Sequence, residues 1–90
     1  MEFADQMLLA LLIIKKGDTF ARWYGLNKML AWRFGIINCL EITEALVAKG
    51  YIVTKSIDGM GHFWLTNEGE EYLQVNYVQI ITIWLFVIFN

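Results

Sequence analysis

The sequence predicts a mainly α, α+β domain: three helices, a β-hairpin, and an apolar C-terminal helix. Three observations carry this. Met7–Ile14 is an unbroken apolar run followed by helix-stop residues. Ile36–Lys49 places apolar residues at helical spacing. Two runs rich in β-branched and aromatic residues flank Asp58-Gly59-Met60-Gly61, the chemistry of a tight hairpin.

The first helix is expected over Phe3–Lys16. It is apolar nearly all round, so it must be covered on every side. Lys15-Lys16-Gly17 stops it, the cations complementing the helix dipole and the glycine supplying the cap. Asp18 or Thr19 can cap a second helix from about Phe20 to Leu30, with a break near Arg33-Phe34-Gly35. In the third helix, Ile36–Lys49, a wheel puts Ile36, Cys39, Leu40, Ile42, Thr43, Leu46 and Val47 on the core arc. The opposite arc holds Ile37, Asn38, Glu41, Glu44, Ala45, Ala48 and Lys49. Gly50 ends it. Strands are expected at Tyr51–Lys55 and Phe63–Leu65. Thr66 or Asn67 then caps a last helix, whose early turns Glu68, Glu70 and Glu71 favour.

With 90 residues and no proline or flexible linker, the chain has room for one core. Apolar residues make up 58 %, an excess that usually ends in an interface, a membrane or a partner's groove. Net charge is −2, and the halves differ. Residues 51–90 offer only Lys55 against Asp58, Glu68, Glu70 and Glu71. A cationic surface must therefore come from Lys15, Lys16, Arg22, Lys28 and Arg33. That is a thin supply for neutralising phosphates. Cys39 is the single cysteine, so no intrachain disulfide can form and a reducing compartment is the default. Glu2 and Asp5 stand where a signal peptide would be cationic, which points to a cytoplasmic location.

The helix–helix–helix–hairpin–helix order carries a resemblance. Leu46-Val47-Ala48-Lys49-Gly50-Tyr51-Ile52, a glycine-bearing turn, then Leu65-Thr66-Asn67-Glu68-Gly69 are similar to winged-helix regulators of the MarR and PadR kind. Leu8-Leu9-Ala10-Leu11-Leu12 also resembles the first helix of the PadR group. The resemblance spans roughly residues 7–73, with residues 36–72 as its core. It implies a winged-helix domain over residues 1–73 and a C-terminal oligomerisation helix over 74–90. It also implies that helix 36–49 lies in a DNA major groove, with the 56–62 loop on the flanking backbone.

The residues temper that expectation. Asn38 is the one good base reader on the outward arc, Lys49 sits at the far end, and Glu41 and Glu44 would repel phosphates. Two readings stay open. In a DNA-binding regulator, Asn38 and Lys49 read the groove, with Lys55 on the wing and Arg22, Lys28 or Arg33 on phosphates. In a protein-interaction module, the acidic, apolar-flecked face of Ile37, Glu41, Glu44 and Ala48 docks a partner.

Residues 72–90 carry no charge, and from Ile80 to Phe89 only Thr82 is polar. As one helix they would span ~28 Å. A dimer helix, a membrane-associated tail, and a strand or groove-binding segment all fit. The homodimer reading pairs the first and last helices through Leu8, Leu11, Leu12, Ile81, Trp84, Leu85 and Ile88.

Cys39 on the core arc reads as a structural thiol, and the lone His62 as a turn residue without partners for a metal. Trp23, Tyr24, Trp32, Phe34 and Trp64 fit core or interface packing, with a ligand pocket as the other reading. No catalytic constellation, metal set or cofactor motif emerges, so no enzyme is expected.

Overall fold

Five helices and one two-stranded antiparallel hairpin follow in the order α1 (Phe3–Lys16), α2 (Trp23–Phe34), α3 (Cys39–Ala48), β1 (Ile52–Ile57), β2 (Met60–Leu65), α4 (Asn67–Val75) and α5 (Tyr77–Phe89). This computed structural model describes residues 1–17 and 21–89, with side chains described as far as residue 85. The expected cap at Asp18 or Thr19 and the expected start at Phe20 lie outside the described residues.

α1 is the centre of the core. Met7 to Leu11, Ile13 and Ile14 are all buried, and α2, α3, α4, α5 and β2 pack around the helix. Its all-round apolar surface is thus covered within one chain. Gly17 is extended, at φ −146°, so α1 ends without a left-handed cap.

α2 runs four residues beyond the expected Leu30. Gly35 stops it at φ 68°, the left-handed region glycine tolerates, and its N–H donates to the Ala31 carbonyl. Ile36, Ile37 and Asn38 are then outside the helix, so α3 starts at Cys39 and not at Ile36. Buried Cys39, Ile42, Thr43 and Leu46 define its inner face. Leu40 and Val47, expected in the core, are exposed. Ile36 is buried but not helical. Counting it as helical rotated the expected arc toward Leu40 and Val47.

The hairpin is tighter and longer than expected. Residues 56–62, read as a loop, are strand apart from Asp58-Gly59, both at positive φ between paired Ile57 and Met60. Its inner face sets buried Ile52 beside Leu65 and buried Phe63 beside Thr54. On the far side of β2, Arg22 bridges to His62, and the Phe63 N–H donates to the Ala21 carbonyl. The residues just before α2 thus touch the edge of β2 through one isolated bridge.

Of the two expected caps, Thr66 and Asn67, it is Thr66 that caps α4, accepting from the Gly69 N–H at 3.0 Å. The chain turns at Asn76, whose amide donates to the Tyr72 carbonyl at 2.8 Å. Residues 72–90 therefore do not form one continuous helix. α5 is about 20 Å long at 1.5 Å per residue. Among the described residues, no helix is long and apolar enough to cross a membrane. α5 packs back on α1 through Ile80 and Ile83, with the Gln79 amide 2.7 Å from the Asp5 carboxylate and Trp84 stacked on Phe34.

Candidate interaction surface

Strand register decides which hairpin side chains share a face, because directly opposite residues point the same way. Since Ile52 and Phe63 point inward, the alternate pairs Val53–Trp64, Lys55–His62 and Ile57–Met60 form the outer face. The bridge to His62 adds Arg22 to the middle row. Three rows result: an apolar row, a row of Arg22, His62 and Lys55, and a second apolar row. Val53 is 51 % and Trp64 43 % exposed. His62 stacks on Trp64, ring centres 6.1 Å apart, and its Nδ1 lies 3.1 Å from the Met60 carbonyl.

α3 carries the complementary pattern. Leu40, Glu41, Glu44, Val47 and Ala48 are all exposed, and Leu40, Glu44 and Val47 recur at i, i+4 and i+7 along one stripe. Leu40 is 60 % exposed, and Ile37, just before the helix, 88 %. Apolar groups that large have no reason to face a phosphate backbone.

Asn38 is not where the DNA reading needs it. It occupies the N-cap position of α3, half-buried, and its amide donates to the Gln6 side chain at 3.1 Å. It ties α3 to α1 and does not project from the helix. Lys49 is exposed at the C-cap of α3, and Arg33 is exposed in the last turn of α2. Lys28 is exposed but held between aromatic faces, its Nζ 6.0 Å from the Tyr24 ring centre and 5.1 Å from that of Trp32.

The expected dimer residues divide. Leu8 and Leu11 are fully buried inside the monomer and cannot meet a second copy. Leu12 is half-buried on a groove of about 630 Å³ lined also by Lys15, Leu73, Tyr77 and Ile80. The Lys15–Glu70 ion pair, 2.7 Å long and half-exposed, closes its rim. Ile81, Trp84 and Leu85 are exposed on α5. The Ile88 side chain lies outside the described residues.

Cys39 is buried, and burial pushes its thiol up from 9.0 to about 11. The Tyr72 phenol is raised by burial first, then by Tyr51, whose ring stacks on it at 4.3 Å, and by Asp5. Among the described residues, no group of His, Cys, Asp and Glu could hold a metal ion. The apolar rows of the hairpin were partly legible as strand alternation. The alignment of Arg22 with Lys55 was not, because it depends on a pairing between residues far apart in the chain.

Comparison with protein-family models, curated proteins and solved structures finds no match to this chain.

Proposed function

We propose that the protein is a winged-helix domain that binds another protein through α3 and the outer face of its hairpin. The element order, the short pairing of Arg22 with β2, and the Thr66-capped helix after the wing support the fold reading. The observation that carries the function is the outward surface of α3. It sets Glu41 and Glu44 between Leu40 and Val47, where groove recognition needs donors and cations. Large exposed apolar groups on one surface stripe mark a protein-binding face. The sequestered Cys39 thiol suits a reducing, cytoplasmic setting.

A second reading, a DNA-binding transcription regulator, is favoured by one observation: Arg22 and Lys55 share a row on the hairpin, and Lys49 is exposed nearby in sequence. Titration of a labelled random-sequence duplex at low salt separates the two. The protein-interaction reading expects no salt-dependent binding in the micromolar range. Salt-dependent binding, weakened by Lys49→Ala and Lys55→Ala, would establish the DNA reading in its place.

A further inference from the structure

The hairpin face and the α3 stripe carry opposite charge in the same apolar–charged–apolar order. The hairpin shows apolar, Arg22/His62/Lys55, apolar, with successive rows about 6–7 Å apart at two residues per row. The α3 stripe shows Leu40, then Glu44 with Glu41 beside it, then Val47. Leu40 to Glu44 is about 6 Å along the helix axis, and Glu44 to Val47 about 4.5 Å. One surface carries two carboxylates, Glu41 and Glu44, and the other two permanent cations, Arg22 and Lys55.

We infer that the partner is a second copy of this chain, with α3 of each copy seated on the outer hairpin face of the other. This rests on the protein-interaction reading above. Like-on-like docking is disfavoured by charge: hairpin on hairpin brings the Lys55 rows together, and α3 on α3 brings the glutamates together. The crossed arrangement is complementary, and a twofold axis forms both contacts at once. Leu40 and Val47 then bury against the rows of Val53 and Trp64 and of Ile57 and Met60. Glu44 pairs with Lys55. The exposed stripe of Ile81 and Leu85 on α5 has no charged group to select an orientation.

Sedimentation equilibrium of the full chain at low salt tests this with two charge reversals, Glu44→Lys and Lys55→Glu. Both positions are exposed, so the fold tolerates them, which circular dichroism verifies. The wild type should associate, and each variant alone should do so roughly tenfold or more weakly. An equimolar mixture of the two variants should recover association, since each copy then offers the complement of the other. A wild type that stays monomeric overturns the inference, as do variants that associate normally. Association abolished by Ile81→Asp but insensitive to the reversals moves the contact to α5 and also overturns it. The duplex titration runs on the same samples. A monomer that ignores DNA removes the self-docking alone, whereas salt-dependent DNA binding removes the reading beneath it.

Discussion

Gly69 packs so closely on Tyr51 that a Cβ at Gly69 would overlap the Tyr51 carbonyl oxygen and lie 3.0 Å from its carbon. The first turn of α4 is thereby pressed against the start of β1. On an open helix surface, Gly→Ala gains about 1 kcal/mol from propensity. Here the obstacle is backbone, which cannot rotate away. Gly69→Ala should therefore lower stability by ~1–3 kcal/mol, the cost of overpacking. Urea denaturation checks it; a raised midpoint would mean α4 can slide off Tyr51.

Thr66 works at the same junction. Its hydroxyl donates to the Gly50 carbonyl and accepts from the Gly69 N–H, while its own N–H donates to the Tyr51 carbonyl at 3.0 Å. Thr66→Val keeps the shape and the backbone bond but removes both hydroxyl bonds. Loss of such a cap costs about 1 kcal/mol, up to ~2. Thr66→Ser should retain most of the stability in the same measurement.

These two residues show what the sequence makes legible. Thr66 as a cap, the Asp58-Gly59 turn and the apolar α1 rest on local chemistry, and each holds. The errors come from contacts that no window of sequence contains. Asn38 looked like an outward helix residue, but Gly35 delays α3 and Gln6 claims the Asn38 amide. Leu8 and Leu11 looked available to a second copy because the covering of α1 by five other elements cannot be read from α1 itself. The row joining Arg22 to Lys55 needs a bridge that no residue announces.

Removing α5 should damage the monomer rather than merely release a partner. Ile80 and Ile83 are buried, and burial of such side chains contributes ~1.5–3 kcal/mol each. The Gln79–Asp5 bond and the Phe34–Trp84 stack would go with them. A chain ending at Gln74 should unfold at a clearly lower urea concentration and scatter light through its uncovered α1. If that chain unfolds with an unchanged midpoint, α5 contributes nothing to the core.

Cys39 gives a prediction in pH. Its thiol is buried, and burial raises its pKa from 9.0 to about 11. The thiolate is the reactive form, so a disulfide reagent at pH 8 should label the native chain far more slowly than the chain in urea. The sign of the stability effect follows from proton counting. Below pH 9 both states hold the proton, and Cys39 contributes no pH dependence. Between 9 and about 11 the unfolded state releases it while the folded state keeps it, so stability falls as pH rises. Above about 11 the folded state ionises too, and this contribution levels off. Cys39→Ala leaves no thiol to titrate, though it opens a small cavity that lowers stability at every pH. The wild type should thus lose stability faster than Cys39→Ala between pH 8 and 10.5 in parallel urea titrations. Parallel curves for the two proteins would show that the thiol ionises as freely in the fold as in water.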